Sequence, residues 1–349
     1  MNTLVSVIIP HHNNSKILIE CINSLTKSTF KNIEIIVVDN ASSDSSCDEV
    51  VNNFSDIIIE KSDINLGYAG GCNLGAQIAN GQYLLFLNND TVVDEHCIEK
   101  LVSKLDQNKN IASVQPKIIN INNQSYFDYA GASGGFIDYL VFPFTRGRIF
   151  NTIEKDSGQY NNAIKVFWAS GAGFLTRKDI FKKVSGFDND LFAHMEEIDY
   201  HWKCHLIKSE VWVNPEAVLY HHGGKTLSMD SPKKTYLNHR NSMILLLSNY
   251  SFLHSFLFFL VRIPLEIISS LKELLNFRLR HFINHYVAFL WIIFHLDIIK
   301  KRRNLINNIR CVKDTDILNK NIIFNKSIIM HYFLLRNKKY QDLKELAQK

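Results

Sequence analysis

Ile33-Glu34-Ile35-Ile36-Val37-Val38-Asp39-Asn40-Ala41-Ser42-Ser43-Asp44 sets an apolar run directly against a polar turn. An apolar run of this kind, broken only by Glu34 near its start, reads as a strand buried on both faces, as in a parallel sheet. The same pattern recurs on either side. Residues 4–9 are apolar up to Pro10, residues 57–59 form a short third run, and residues 83–87 lead into Asn88-Asn89-Asp90. Helical stretches are expected between them, near residues 16–26, 69–79 and 94–105. Alternation of β and α over about a hundred residues implies a parallel sheet flanked by helices. Ligands of such sheets bind beyond the carboxyl ends of the strands, where the polar residues fall here.

Composition fits a folded protein. Of 349 residues, 46% are hydrophobic and 21% charged, which excludes global disorder. A net charge of +5 is too weak to argue for a nucleic-acid partner. The six cysteines are scattered without a C-x-x-C pair, so free thiols in a reducing compartment are the simplest expectation. The chain enters a strand at once with no basic leader, and no secretory signal is expected.

Five clusters could carry chemistry. Asp39 stands where a strand-end carboxylate accepts from a base or ribose hydroxyl, whereas Asp44 is better placed as a helix cap. Asn65-Leu66-Gly67-Tyr68-Ala69-Gly70-Gly71-Cys72-Asn73-Leu74-Gly75 could bring backbone close to a diphosphate at a helix start, or could be a packing turn. Asn88, Asn89 and Asp90 put oxygen ligands at a strand end, as a hard divalent cation requires, or form a capped turn. His194-Met195-Glu196-Glu197-Ile198-Asp199 crowds three acids at a helix start. The helix dipole alone would favour them, but mutual repulsion would also raise one pKa into the range of a general base. His221-His222-Gly223-Gly224-Lys225-Thr226 could ligate metal or touch phosphate, or be inert.

Residues 120–165 lose periodicity, and a loop of that length is usually functional or mobile. Residues 251–275 and 282–299 are strongly apolar but interrupted by Arg262, Glu266, Lys272, His285, His295 and Asp297. They read as a buried hairpin or as helices lying on a bilayer surface, and less well as membrane spans. Lys300-Lys301-Arg302-Arg303 beside them suits an anionic leaflet.

Taken in order, residues 5–10, 37–44, 65–75, 84–91 and 186–199 resemble the family 2 glycosyltransferases, in particular the bacterial rhamnosyltransferase-like branch. The resemblance covers roughly residues 4–250. It implies an α/β GT-A fold, Rossmann-like with a mostly parallel sheet flanked by helices, over residues 1–249. Residues 250–349 are then an α-helical appendage, expected to be membrane-associated. The implied reaction is inverting transfer of a sugar from a nucleotide-diphosphate donor to a hydroxyl of a glycan or lipid-linked glycan. The implied location is the inner face of the cytoplasmic membrane. By resemblance, Pro10, Asp39, Asn40, Asn65, Gly67, Gly71, Asn73, Asn88 and Asn89 serve the donor, and Trp168, Ser170 and Gly171 shape the sugar and acceptor pocket. Asp90 matches the last residue of the family's D-x-D motif, whose first Asp is replaced by Asn88. Asp90 and His221 are the implied ligands of Mg²⁺ or Mn²⁺. Glu197 matches the usual base, with Glu196 competing and Asp199 beside them. A non-catalytic sugar-nucleotide or lipid-binding relative is the main alternative; a nucleotidyltransferase would need a basic glycine-rich loop that this chain lacks.

Overall fold

The computed structural model describes residues 3–223, 230–319 and 322–343. Its strands are β1 (Val5–His11), β2 (Ile33–Asn40), β3 (Ile57–Ser62), β4 (Tyr83–Leu87), β5 (Thr91–Val93), β6 (Ile111–Asn120), β7 (Gly135–Asp138), β8 (Pro143–Thr145), β9 (Arg148–Ile149), β10 (Thr152–Ile153), β11 (Ile164–Val166), β12 (Gly173–Arg177), β13 (Glu210–His221) and β14 (Ile323–Phe324). Its helices are α1 (Ser15–Thr26), α2 (Ser46–Asn53), α3 (Gly67–Ile78), α4 (Cys97–Asp106), α5 (Lys178–Lys183), α6 (Glu196–Leu206), α7 (Pro232–Asn249), α8 (Phe252–Leu275), α9 (Leu279–Phe294), α10 (Leu296–Ile309) and α11 (Asp314–Leu318).

The main sheet runs β11-β13-β6-β12-β4-β1-β2-β3, with β5 added to β13. β4, β1, β2 and β3 are mutually parallel, so His11, Asn40 and Leu87 end on one edge. β12 enters antiparallel between β4 and β6, and β13 then runs parallel to β6. One apolar layer on each face covers this sheet. The small-residue helix α3 lies close on it because a Cβ at Gly75 would come 2.5 Å from Ile8 Cγ2. The Ile8, Val38 and Gly75 stack therefore fixes how deep the start of α3 sits over the strand ends.

The weakly patterned residues 120–165 are not an open loop. They fold into a small sheet, β10-β9-β8-β7-β14, completed by a strand from the last part of the chain. Its strands have two to four residues each, too short to show a period of two.

The last third differs from its sequence reading in two ways. The second apolar stretch breaks at His295 into α9 and α10, bent by 70°. The basic run is split as well. Lys300 and Lys301 are exposed, but Arg302 is buried. Its guanidinium binds Asp188 and reaches Asp199 Oδ1 at 2.7 Å, and Arg303 donates to the Leu247 and Tyr250 carbonyls. This pairing turns α10 toward α6. A third apolar cluster, containing Trp168, Trp202, Met243 and Ile292, seals that contact.

Removing one member of a buried ion network leaves its partners unpaired, at about 3–5 kcal/mol. Arg302→Gln should therefore lower unfolding stability by that order in urea melts, while Lys301→Gln should change it little.

Candidate active site

The polar edge is assembled from the strand ends outward. Asn40 closes β2 and spends both ends of its amide on the next turn: Nδ2 donates to Gly67 O at 2.9 Å, and Oδ1 accepts from Leu66 N at 2.7 Å. Gly67, at φ +70°, lies against Phe192, whose carbonyl accepts from Ala69 N at 3.1 Å. Phe192 leads straight into Met195 and α6. The turn expected to hold donor thus also positions the helix that carries the acids. Asn73 clamps Phe187 in the same way, donating to its carbonyl at 2.8 Å and accepting from its N–H at 3.0 Å. Asn89 is buried and reaches His11 Nδ1 at 2.9 Å. The amides of Asn40, Asn73 and Asn89 are therefore engaged within the protein, and these three shape the strand-end edge from beneath.

Asp39 is half-buried and caps its own turn, accepting from Ser42 N at 2.9 Å. Pro10 lies against Gly71: a Cβ on Gly71 would come 3.1 Å from Pro10 Cβ. Asn65 accepts from Gly67 N at 2.9 Å and stays exposed. Asn88 is half-buried, with its N–H on Ala172 O at 3.1 Å. That bond joins the strand end to the 168–172 segment. Within it, Gly171 O accepts from Tyr68 Oη at 2.7 Å, and Ser170 Oγ donates to Ala130 O at 3.1 Å. Trp168 departs from expectation. Its indole is 2% exposed and donates to Phe136 O at 2.9 Å, so it is a core residue under the pocket wall.

Asp90 and His221 do meet. His221 Nε2 lies 3.1 Å from Asp90 Oδ1, and its Nδ1 lies 2.8 Å from Asp128 Oδ1. All three side chains are buried. Burial would lower the imidazole's pKa, but Asp128 and Asp90 outweigh it and raise it to about 10. Sequence reasoning missed Asp128, which stands 93 positions from His221 within the weakly patterned stretch. A carboxylate on Nδ1 fixes the ring so that Nε2 points to Asp90, which is how a metal-binding imidazole is usually oriented. An imidazole nitrogen and a carboxylate oxygen converging in this way fit a divalent cation. His222 reaches Glu20 Oε2 at 3.1 Å, and residues 224–226 of the same motif lie outside the described residues.

The three acids of α6 separate by environment. Asp199 is 1% exposed and bound by Arg302, by Lys203 at 3.2 Å and by Asn249 Nδ2 at 2.9 Å. Burial would raise its carboxyl, yet Lys203 and Arg302 hold it down at about 2. It is an anchor, and the expectation of a catalytic role for it gives way to that. Glu196 is buried and raised well above the carboxylate range, first by burial and then by Glu197. Glu197 is pushed up to about 7, mainly by burial, and Glu196 hydrogen-bonds to it. Burial thus raises both carboxyls, Glu196 the further, and Glu197 is the more exposed of the two. One oxygen of each, and Nε2 of neighbouring His194, are buried with no hydrogen-bond partner. Buried polar atoms left open in this way call for an explanation, and a catalytic or ligand-binding role is one. His201 ties α6 to the pocket wall, with Nδ1 2.6 Å from Glu197 O and 3.3 Å from Ala169 N.

Residues 6–185 match the family model described as glycosyl transferase family 2. The chain belongs to that family. It is 32% identical over 226 residues to the glycosyltransferase GlyG of Streptococcus pneumoniae, spanning 63% of this chain and 71% of that one. It is 25% identical over 221 residues to the poly-β-1,6-N-acetyl-D-glucosamine synthase of Staphylococcus epidermidis, spanning 62% of this chain but 49% of the synthase. Among solved structures it resembles GalNAc-T7, crystallised with UDP, GalNAc and Mn²⁺. That likeness has a TM-score of 0.56 at 17% identity, over 70% of this chain and 47% of the other, and establishes the shared GT-A fold. The family 2 match ends at residue 185, just before the Gly186–Asp199 segment that carries the acids.

At Gly67 a side chain would be strained by φ alone, and its Cβ would come 2.3 Å from Phe192 O. Gly67→Ala should cost at least about 1–3 kcal/mol. It should also slow transfer, because Phe192 and the start of α6 must shift. Thermal melts and initial rates measured together would check both effects.

Proposed function

We propose that this family 2 glycosyltransferase inverts the anomeric centre of a sugar supplied as a nucleoside diphosphate and transfers it to a hydroxyl of a glycan or lipid-linked glycan. The observation that carries this reading is the Glu196–Glu197 pair, Glu196 buried and Glu197 half-buried, each with one unsatisfied oxygen, on the same edge as Asp39 and Asp90. In this reading Asp39 receives the nucleoside, with Pro10, Asn65, Gly67 and Gly71 lining its path and Asn88 beside the diphosphate. Asp90 and His221 would hold Mg²⁺ or Mn²⁺, which would stabilise the charge growing on the leaving diphosphate. The Mn²⁺ and UDP present with GalNAc-T7 support that class of donor. The polysaccharide made by the staphylococcal synthase, by its name, supports a glycan acceptor.

Glu197 takes the proton from the acceptor hydroxyl. The freed oxygen attacks the anomeric carbon from the face opposite the diphosphate. The carbon–oxygen bond to the diphosphate breaks, and the nucleoside diphosphate leaves with that electron pair. Glu196 keeps its own proton and orients the Glu197 carboxylate. The transition state has oxocarbenium character, as in glycoside cleavage.

A base must be ionised to act, so transfer should rise with pH through about 7, where burial sets Glu197. Glu197→Gln should lower the rate by about 10²–10⁴-fold and remove that limb. Single-turnover transfer from a panel of nucleoside-diphosphate sugars, with product anomers read by NMR, tests both. Retained configuration, or an unaltered pH limb in Glu197→Gln, would refute the mechanism.

The membrane reading rests on how α8 and α9 are turned. On α8 the buried positions are Ser255, Arg262, Glu266 and Ser270, whereas Leu260, Val261, Ile267 and Leu271 are exposed. Polar groups face the protein and apolar ones face outward, the reverse of a helix packed on a water-soluble domain. Phe277, in the turn to α9, is 95% exposed. Lys272, Arg280, Lys300 and Lys301 are exposed near this face. We infer a hairpin lying in the anionic cytoplasmic leaflet, bringing the site to a lipid-linked acceptor. The full chain should cosediment with anionic vesicles and far less with zwitterionic ones, and Ile268→Asp with Leu271→Asp should abolish binding. Monodisperse protein that ignores both vesicle types without detergent would remove this part of the proposal.

A further inference from the structure

Beneath the apolar hairpin lies a second convergence of ligand atoms, made by residues other than Asp90 and His221. His239 on α7, Glu266 on α8 and His285 on α9 each offer one ligand atom, all within 4.8 Å of one another. His239 Nδ1 lies 2.7 Å and His285 Nδ1 3.2 Å from the same oxygen, Glu266 Oε2. Glu266 and His285 are buried, and His239 stands at the edge with 20% of its side chain exposed. Arg262 Nε holds the other oxygen, Oε1, at 2.6 Å. The carboxylate is therefore oriented from behind, with Oε2 turned to the two rings.

Hydrogen bonding accounts for only part of this cluster. His239 Nδ1 is buried 2.7 Å from Glu266 Oε2 in an ion-pair contact, without the geometry of a well-formed hydrogen bond. The two rings approach to 3.8 Å between centroids, tilted by 46°. Both rings present a nitrogen to the same carboxylate oxygen, Glu266 Oε2. As ligands to a single ion placed among the three atoms, they cooperate. Two nitrogens and one oxygen form a borderline donor set, which selects a Zn²⁺-like ion over Mg²⁺ or Ca²⁺. A second residue orienting the liganding carboxylate, as Arg262 does, is the usual companion of such a site.

We propose that His239, Glu266 and His285 form a structural zinc site that cross-links α7, α8 and α9. Its consequence reaches the catalytic edge through α7. Arg240 donates to Asp190 O at 2.8 Å, and Asn241 donates to the Leu191, Ala193 and His194 carbonyls at 2.7–3.0 Å. These two residues follow His239 directly and hold the segment entering α6. Zinc bound here fixes the apolar hairpin to the helix that supports the Glu196–Glu197 pair.

The test uses the untagged full chain, stripped with chelator, reloaded with Zn²⁺, desalted and analysed by elemental mass spectrometry. Zn²⁺ should be retained at one ion per chain at this site and should raise the melting temperature. His285→Gln and His239→Gln should each lose that ion and the thermal shift, whereas Asp90→Asn should keep both. Because His239 lies at the edge, His239→Gln keeps the test open if His285→Gln does not fold. Co²⁺ loaded in place of Zn²⁺ should show ligand-field bands that His239→Gln lacks. No retained zinc in the wild type, retention unchanged in both histidine variants, or loss of the ion in Asp90→Asn would overturn the proposal.

Discussion

His221 stands between two buried carboxylates, and the catalytic edge is organised around that fact. Strand pairing brings it there: β13 sets His221 opposite Thr91 of β5 on one side and Asn120 of β6 on the other. The register of β13 shifts between Asn214 and Val218, an irregularity of the kind that re-aims the residues beyond it. Asp90 comes from the end of β4 and Asp128 from the segment after β6, so one imidazole ties three parts of the sheet. Two carboxylates and one ring cannot be buried without positive charge among them. A proton on His221 meets that demand in the protein alone, and under the proposed function a divalent cation would meet it.

A second constraint acts on α6. Three acids begin this helix, and burial would leave all of them neutral. Arg302 and Lys203 rescue only Asp199, which becomes an anchor for α10. Glu196 and Glu197 are left to bear the remaining cost, and burial raises both carboxyls, Glu196 the further. The C-terminal helices thus do more than hang from the catalytic unit: Arg302 reaches in from α10, Asn249 from α7, and Tyr340 packs against Phe136 and Tyr160. Whatever holds the hairpin also bears on the acids.

The strand ends could be read because apolar runs buried on both faces announce themselves, and the turns after β1, β2 and β4 fall where expected. β6 and β13 could not. Each carries a proline and polar residues, Gln115-Pro116-Lys117 and Asn214-Pro215-Glu216, which interrupt any simple pattern. Asp128 and Arg302 escape for a different reason. Their roles depend on tertiary approach over 93 and 103 positions, and neither has a local signal. Asn40 and Asn73 are found by position, yet their work is structural, because an amide offering both donor and acceptor is well suited to clamping backbone.

The most direct measurement is Mn²⁺ anomalous scattering from crystals grown with a nucleoside diphosphate, read in the wild type and in Asp128→Asn. The expected result is a peak at ligand distance from Asp90 and His221 Nε2 with the diphosphate beside it, weakened when Asp128 can no longer hold the ring. A nucleotide bound with no ion between Asp90 and His221, or a peak unchanged in Asp128→Asn, would contradict the central role of the Asp90–His221–Asp128 relay.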